Sequence, residues 1–271
     1  RGQNGIELSF DSKLTGVRGW RRTEQARGRE LVRYRDQNVE ARNGYTVVLT
    51  LDSGLQHIVE TELAAAMEKH SPISMSCIIV RPRTGEILAM ATLPTYDPHR
   101  PAATDPGTWR NRVITDSWEP GSTFKIVPVS AALNEGRLKL TDVYDCENGF
   151  FSFGGRVLRD HERYGMLSVE GIIQKSSNIG SAKIAIEHLG NEKLYKYVRD
   201  FGFGMRTGIP LPGEVNGIVH PTKNWSKISI AQIPMGHGLT ATPLQMVMAM
   251  SAIANEGRLM RPVLVKRLQD E

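Results

Sequence analysis

The sequence contains little cysteine and no long hydrophobic run. Its two cysteines, Cys77 and Cys146, stand far apart, so they indicate neither a metal-binding motif nor a disulfide framework. No segment approaches the ~18 consecutive apolar residues of a membrane-spanning helix, and no signal-peptide pattern opens the chain. The seven histidines show no spacing typical of metal ligands. The sequence therefore predicts a globular protein that uses no metal and no cofactor.

Basic residues are concentrated near the start of the chain. The formal net charge is +5, and residues 1–42 carry most of the excess of Lys and Arg over Asp and Glu. We interpret this segment as a solvated surface, with attraction to an anionic partner or a membrane surface as the alternative. Basic and aromatic residues do not alternate, so the sequence indicates no nucleic-acid partner.

The chain divides into a short irregular region and a longer folded one. Residues 1–45 are rich in Gly and Arg and show little apolar periodicity, which predicts irregular strands and loops. Residues 46–50 form a β-branched run typical of a strand. Residues 74–92 hold two apolar runs around a turn, which predicts the one clear β-hairpin of the sequence.

Capping patterns predict helices on both sides of the chain's middle. Ser53 with Gln56 matches a capping box, and so does Thr242 with Gln245. The helix after Thr242 is apolar nearly all round, which predicts that it is buried. Asn191 is expected to cap a further helix.

The middle of the chain is predicted to be mainly helical. One helix begins near Ser122 and ends at Gly136, and Pro128 is expected to bend it or confine it to a short first segment. Ser168 is expected to cap a second helix, and a third spans residues 178–189.

Ser122 and Lys125 follow a Pro-Gly pair in the stretch WEPGSTFKIV. Residues at i and i+3 share one face of a helix, so the hydroxyl and the amine can meet. A serine needs a base to be a good nucleophile, and a lysine can be that base if burial lowers its pKa from ~10.4 towards ~7–8. Free N–H groups at a helix start favour a developing oxyanion. The pair thus indicates acyl transfer, with an exposed lysine on a surface helix as the alternative.

A second polar motif, Ser176-Ser177-Asn178, falls at the junction of two predicted helices. Ser-x-Asn alone is typical of a helix N-cap. After a Ser-x-x-Lys motif, however, it matches the catalytic pattern of serine β-lactamases and penicillin-binding proteins. Ser176 is then expected to relay a proton, and Asn178 is expected to hold Lys125 and a substrate amide.

Longer stretches around these motifs resemble the transpeptidase domain of class B penicillin-binding proteins. The stretches are NRVITDSWEPGSTFK, SSNIGSAKIAIEHLG, FGFGMRTGIPLPGE and MGHGLTATPLQMVMAMSAIANEG. The resemblance implies an α/β (α+β) fold with a helix-rich subdomain and an incomplete antiparallel sheet. It also implies that residues 1–45 end a non-catalytic pedestal or dimerisation-like region and that residues 46–271 belong to the penicillin-binding domain.

The resemblance implies a bacterial enzyme that cross-links peptidoglycan stem peptides. Ser122 would attack the D-Ala-D-Ala carbonyl and release D-Ala, and penicillins would acylate the same serine. Lys125 would be the base, with Ser176 and Asn178 as the second catalytic element. The Ser-Ser-Asn motif and the FGFGMRTGIPLPGE stretch are closer to the division and sporulation types than to the elongation type.

The same resemblance implies a location outside the cytoplasmic membrane. Because the first residue is not Met, we expect the chain to be an excised fragment, and the resemblance implies a membrane anchor upstream of it. The implied partners are peptidoglycan stem peptides, β-lactams and proteins of the cell-wall synthesis machinery, such as a glycosyltransferase.

The family's third motif, Lys-Thr-Gly or Lys-Ser-Gly, is absent from the chain. Two Arg-Thr-Gly triplets, at 83–85 and 206–208, correspond to non-catalytic places in the family pattern. We therefore expect the chain to stop before this motif, with further strands and a final helix outside it. Losing one oxyanion donor costs about 10²–10³ in rate, so the chain as given is expected to be a poor catalyst.

Three alternatives to a transpeptidase remain open: a serine β-lactamase, a β-lactam-sensing domain and a non-catalytic cell-wall scaffold. EHLGN, at residues 187–191, imitates a β-lactamase deacylation motif, but it follows Asn178 too closely. Asp160 and His161 can line the cleft, although we interpret them as part of a surface loop.

Overall fold

The computed structural model describes residues 2–22, 25–26, 29–30, 37–100 and 103–270. The chain forms two compact units. The first unit combines Arg1–Thr50 with Ile209–Pro212 and Val263–Glu271, and the second comprises Leu51–Gly208 and Gly213–Pro262. The division at residue 45 that the sequence suggested stays a prediction.

The first unit is built from short elements. They are α1 (Gly5–Ser9), α2 (Asp11–Leu14), β1 (Trp20–Arg22), β2 (Gln25–Ala26), β3 (Arg29–Glu30), β4 (Gln37–Val39), β5 (Thr46–Leu49) and β12 (Val265–Gln269). β1 pairs with β4, β2 with β3 and β5 with β12, all antiparallel. The strand predicted over 46–50 is confirmed as β5. Of the predicted irregular region, residues 1, 23–24, 27–28 and 31–36 lie outside the described residues.

The second unit mixes helices with antiparallel strand pairs. Its α-helices are α3 (Ser53–His70), α4 (Arg112–Thr115), α5 (Ile126–Asn134), α6 (Val169–Gln174), α7 (Asn178–Ile184), α8 (Gly190–Asp200), α9 (Ser229–Gln232) and α10 (Pro243–Ala254). Its strands are β6 (Met75–Val80), β7 (Ile87–Leu93), β8 (Val143–Asp145), β9 (Phe150–Phe153), β10 (Arg156–Arg159) and β11 (Met166–Ser168). Short 3-10 helices cover Pro106–Trp109, Gly121–Lys125, Glu147–Gly149, Thr222–Asn224 and Ile233–Met235, and a π-helical turn covers Ala185–Leu189.

The hairpin predicted over 74–92 is confirmed as β6 and β7, which pair antiparallel. The helix α3 covers this hairpin, with Val59 and Leu63 packed against Ala89 of β7. The burial of these side chains supplies the apolar contact that an isolated hairpin lacks in water.

Two strand pairs were not expected from the sequence, so the expectation of one clear hairpin was wrong. β9 pairs with β10, and β8 pairs with β11. Gly154 and Gly155, with φ of 59° and 81°, join β9 to β10. Two glycines between β-prone runs are a hairpin signal, so the stretch FFSFGGRVLR could have revealed this pair.

Two predicted helix caps differ from the structure. Asp52, not Ser53, caps α3, and its carboxylate accepts a hydrogen bond from the Leu55 N–H at 3.0 Å. The Gln56 amide instead bonds the backbone of Met90, because that strand lies beside the helix. Asn191 does not cap α8, since the π-helical turn before it leads directly into Gly190.

The helix α10 begins as the sequence predicted. Thr242 and Gln245 form a reciprocal capping box, with Pro243 at the first helical position. The predicted burial holds for six residues of this helix, whereas Met250 and Ile253 are exposed.

The core of the second unit lies beneath the helix that follows Ser122. Phe124 and Val127 are fully buried there together with Phe203 and Leu194. The rings of Phe124 and Phe203 pack with centroids 5.0 Å apart. This packing anchors the segment that carries the candidate site.

Candidate active site

Ser122 lies in the 3-10 helix Gly121–Lys125, which leads directly into α5. A 3-10 helix has three residues per turn, so side chains at i and i+3 eclipse each other. Ser122 and Lys125 therefore project on the same side. Pro128 falls in the first turn of α5, where its missing N–H costs no intrahelical bond. The helix ends just before Gly136, whose φ is 64°, as the sequence predicted.

Two glycines bring a second segment against this turn. The Gly121 N–H donates to the Gly236 carbonyl at 3.2 Å. Gly236 has a φ of +78°, and a Cβ atom there would lie 2.1 Å from the Gly121 carbonyl oxygen. Only glycine fits this approach, so Gly236 keeps the backbone in place beside Ser122.

Lys125 is the centre of the site. Its Nζ lies 2.8 Å from Ser122 Oγ, 2.9 Å from Ser176 Oγ, 2.7 Å from the Ser176 carbonyl oxygen and 2.8 Å from Asn178 Oδ1. The structure therefore brings together all four residues that the sequence singled out.

The chemistry of these neighbours suits a neutral amine. The Ser176 carbonyl and Asn178 Oδ1 can only accept hydrogen bonds, whereas both serine hydroxyls can donate. A neutral amine has two N–H groups, which match the two acceptors. Its lone pair is then left to accept a proton from a hydroxyl.

Burial also favours the neutral form of this amine. Lys125 is 2% exposed. Burial lowers the pKa of its amine from the usual 10.5 to about 8, against the opposing effect of the Asp160 carboxylate. A lower pKa raises the fraction of neutral lysine at physiological pH, which is the form that can act as a general base.

Ser176 and Asn178 lie at the junction of α6 and α7, as predicted. Ser168 caps α6, and Ser177 caps α7 by accepting from the Gly180 N–H. Between these helices Ser176 adopts a φ of 57°, a conformation that is uncommon for a residue other than glycine. The tight reversal turns both its carbonyl and its hydroxyl towards Lys125.

Asp160 is part of this arrangement, so its interpretation as surface loop was wrong. Its Oδ1 accepts from the backbone N–H groups of Asn178 and Ile179, at 2.5 and 3.0 Å. Its Oδ2 accepts from Ser177 Oγ at 2.7 Å. His161 is exposed, in agreement with the surface interpretation. Asp160 contacts residues 17 to 19 positions away, so no local pattern could have identified it.

Glu119 is a further residue that the sequence did not single out. Its Oε2 lies 2.9 Å from His237 Nδ1, and its Oε1 accepts from the Gly238 N–H at 2.8 Å. The bonds from His237 and Gly238 lower the pKa of the Glu119 carboxyl. Glu119 therefore fastens the segment before Ser122 to the segment that contains Gly236.

The EHLGN segment and one Arg-Thr-Gly triplet serve structural purposes. In EHLGN, Glu187 is exposed, and His188 Nε2 lies 2.5 Å from the Tyr144 hydroxyl oxygen. The backbone and hydroxyl of Thr207 donate to the buried carboxylate of Glu214. These contacts stabilise turns and give no support to a β-lactamase deacylation motif or a substituted third motif.

The described part of the chain lacks both a membrane-spanning helix and a metal-binding cluster. In residues 2–22, 25–26, 29–30, 37–100 and 103–270, no helix is both long enough and apolar enough to cross a bilayer. The same residues contain no group of three or more His, Cys, Asp or Glu side chains arranged to hold a metal ion.

Known proteins share long stretches of this sequence. A family model of the penicillin binding protein transpeptidase domain matches residues 75–271. Stage V sporulation protein D of Bacillus subtilis is 36% identical over 274 residues, which cover 100% of this chain and 42% of that protein. Peptidoglycan D,D-transpeptidase FtsI of Escherichia coli is 35% identical over 269 residues, which cover 99% of this chain and 45% of that protein. The chain thus spans less than half the length of these relatives.

Solved structures share the fold. Penicillin binding protein 2X from Streptococcus thermophilus matches with a TM-score of 0.83 and 32% identity, over 99% of this chain and 40% of that one. Penicillin binding protein 3 from Mycobacterium tuberculosis, solved with ampicillin, matches with a TM-score of 0.83 and 32% identity, over 100% of this chain and 58% of that one. The predicted α/β class with antiparallel sheets is confirmed.

Sequence and structure lead to one assignment. The family model covers more than half of the chain, and the curated relatives extend the similarity over nearly all of it. The chain belongs to the penicillin-binding protein transpeptidase family.

Proposed function

We propose that the protein is a serine D-Ala-D-Ala transpeptidase that cross-links peptidoglycan stem peptides and is acylated by penicillin. The observation that carries this proposal is the buried Lys125 amine, which meets Ser122 at 2.8 Å and both residues of the second motif at 2.7 to 2.9 Å. A nucleophile, a base and a third group that orients the base are the parts that nucleophilic acyl transfer requires.

Acylation begins with Ser122. Its oxygen attacks the carbonyl carbon of the D-Ala-D-Ala bond, and its proton passes to the neutral Lys125 amine. Ser122 stands in the first turn of a helix, where backbone N–H groups have no intrahelical partner and can stabilise the developing oxyanion. The C–N bond then breaks, the leaving D-Ala nitrogen takes up a proton, and an ester on Ser122 remains.

Ser176 is placed to deliver that proton. Its hydroxyl lies 2.9 Å from Lys125 Nζ, so a proton accepted by the lysine can pass through it to the leaving nitrogen. Asn178 holds the lysine through its Oδ1 and leaves the amine little freedom to turn away. A neighbouring strand's amine then attacks the ester, loses a proton and restores the Ser122 hydroxyl as the new amide forms.

A penicillin follows the same first step with a different outcome. Its strained amide bond opens when Ser122 attacks, but the leaving nitrogen stays tethered to the acyl group. The incoming amine is then blocked, and the ester persists. The penicillin binding protein 3 of Mycobacterium tuberculosis, solved in complex with ampicillin, supports the proposal that this protein binds a penicillin.

Relatives support a place for the reaction in septal or sporulation cell-wall synthesis. The names of the Bacillus subtilis and Escherichia coli relatives refer to sporulation and to peptidoglycan transpeptidation. We propose that the protein acts at the outer face of the bacterial cytoplasmic membrane, with peptidoglycan stem peptides as substrates and a glycosyltransferase of the cell-wall machinery as a partner.

Intact mass spectrometry tests this function directly. After prolonged incubation with benzylpenicillin, the purified protein is expected to gain the mass of one penicillin, because the long incubation detects even slow acylation. Ser122→Ala is expected to abolish the adduct, since it removes the nucleophile. Ser130→Ala is the matched control, because the Ser130 hydroxyl bonds carbonyls of its own helix, at Ile126 and Val127.

Two results would contradict the proposal. One is the absence of an adduct on the unchanged protein, which would favour a non-catalytic scaffold. The other is an adduct that disappears within minutes with release of hydrolysed penicillin, which would identify a β-lactamase.

A further inference from the structure

Asp160 stands at the end of β10 and connects that strand to the second catalytic motif. It lies next to Arg159, the last residue of β10. Both of its carboxylate oxygens accept hydrogen bonds from the start of α7: Oδ1 from two backbone N–H groups and Oδ2 from the Ser177 hydroxyl. A carboxylate that accepts several such bonds holds a backbone segment more firmly than a neutral acceptor does.

The same strand end also sets the orientation of the Asn178 amide. Asn178 Nδ2 donates to the Arg159 carbonyl at 2.9 Å. Because the nitrogen side of the amide is engaged there, Oδ1 is directed towards Lys125 Nζ, which lies 2.8 Å away. Residues 159 and 160 thus hold both the backbone and the side chain of Asn178.

Ser176 depends on the same support. Its φ of 57° is a strained conformation that persists only where the surrounding structure holds it. The residues on its C-terminal side are fixed by Asp160 and by the Ser177 cap on α7. If that support is lost, Ser176 can relax and its carbonyl and hydroxyl can leave Lys125.

We propose that Asp160 is a positioning residue for acylation, which locks the Ser176–Asn178 segment against Lys125 through hydrogen bonds to the start of α7. This inference rests on the transpeptidase function proposed above. Asp160 lies outside the three sequence motifs of the family, and the geometry of the Lys125 base depends on it.

The charge of Asp160 also acts on the base. Among the described residues, its carboxylate is the charged group that opposes the effect of burial on the pKa of Lys125, and it raises that pKa. Burial is the largest cause of the raised pKa values of the Cys146 thiol and the Tyr164 hydroxyl, and the charge of Asp160 raises both further. Removing the charge is therefore expected to lower the pKa of Lys125 further and to extend acylation to lower pH.

Rates of acylation by a fluorescent penicillin, measured from pH 6 to 10 and normalised to the number of reactive sites, test the inference. Asp160→Ala removes both the hydrogen bonds and the charge, and is expected to slow acylation about 100-fold, because misplacement of catalytic groups by about 1 Å can cost that much. Asp160→Asn retains one acceptor oxygen, and is expected to lose less activity while the acid limb of its profile moves to lower pH. Asp160→Glu keeps the carboxylate and is expected to recover part of the loss.

The control is Asp145→Asn, which removes an equal charge at an exposed carboxylate that caps the turn at Glu147. It is expected to leave both the rate and the profile unchanged. Normalisation to reactive sites separates a loss of folded protein from a slower reaction. A wild-type rate in Asp160→Ala, or an unmoved acid limb in Asp160→Asn, would overturn the inference. Failure of the unchanged protein to be acylated would instead overturn the proposed function.

Discussion

At the scale of single residues, the burial of one amine decides the chemistry. Lys125 loses the hydration that favours its charged form, and burial brings its pKa to about 8. The four oxygen atoms around Nζ offset part of the cost of burying a polar group. A lysine in the same sequence position on an exposed helix would stay charged and could not act as a base.

The pH dependence of acylation follows from this burial. Below pH 8 the Lys125 amine is mainly protonated, so the acylation rate is expected to rise with pH and to level off above about 8. Well below the pKa the rate is expected to fall about tenfold per pH unit, since it follows the neutral fraction of the base. Stopped-flow acylation by nitrocefin across pH 6 to 10 measures this profile.

A change of the base tests its identity. Lys125→Arg is expected to reduce the acylation rate by about 10²–10⁴, because a guanidinium is not deprotonated in this range and general-base catalysis is lost. Lys69→Arg on the exposed end of α3 is the control. An arginine variant that retained the wild-type rate would show that Lys125 is not the base.

At the scale of elements, the 3-10 turn around Ser122 is stabilised by hydrogen bonds to residues 236–238. The Gly236 carbonyl accepts from Gly121, and Glu119 bonds both His237 and Gly238. These contacts come from a segment more than 110 residues along the chain. The position of the nucleophile therefore depends on a close approach of two backbones that only glycine permits.

Gly236→Ala is expected to lower the free energy of unfolding and to slow acylation. The positive φ alone costs roughly 1–2 kcal/mol for an alanine, and the clash of its Cβ with the Gly121 carbonyl adds about 1–3 kcal/mol. Gly238→Ala is a matched control, since Gly238 has the same φ of +78° but open space where the Cβ would stand. Chemical denaturation of both variants isolates the clash, and equal losses would contradict the close approach.

At the scale of the whole molecule, the site stands on the core of the second compact unit. Phe124 belongs to the same 3-10 turn as Ser122 and Lys125 and is fully buried against Phe203. The helix α5 contributes Val127 and Val129 to this core, and α8 contributes Leu194 and Val198. Packing of Phe124 in this core therefore helps to fix the position of Ser122, which lies in the same turn.

Phe203→Ala is expected to reduce the free energy of unfolding by about 3–5 kcal/mol, because it leaves a cavity under the active-site turn. Phe150→Ala is the control, since Phe150 is 46% exposed on β9 and its loss opens no cavity. Thermal and chemical denaturation measure both. A small effect at Phe203 would show that the core around it can collapse to fill the space.

Much of the local structure could be predicted from the sequence. Ser122 and Lys125 lie on one side of a helical turn, Ser168 and Thr242 cap their helices, and the hairpin of β6 and β7 is present. The cap at Ser53 was wrong because the Asp52 carboxylate caps α3 and Gln56 bonds the Met90 backbone instead. The cap at Asn191 was wrong because the π-helical turn leads directly into α8. Caps are weak preferences, and tertiary contacts override them.

The sequence by itself determined which groups can react, because spacings of two and three residues are set by the geometry of a helical turn. Only the tertiary structure decided that these groups meet, since Lys125 and Ser176 are 51 residues apart. It also decided the burial that lowers the pKa of Lys125 and the placement of Asp160, Glu119 and Gly236. Burial and long-range contacts depend on which distant segments pack together, and a local pattern carries no information about that.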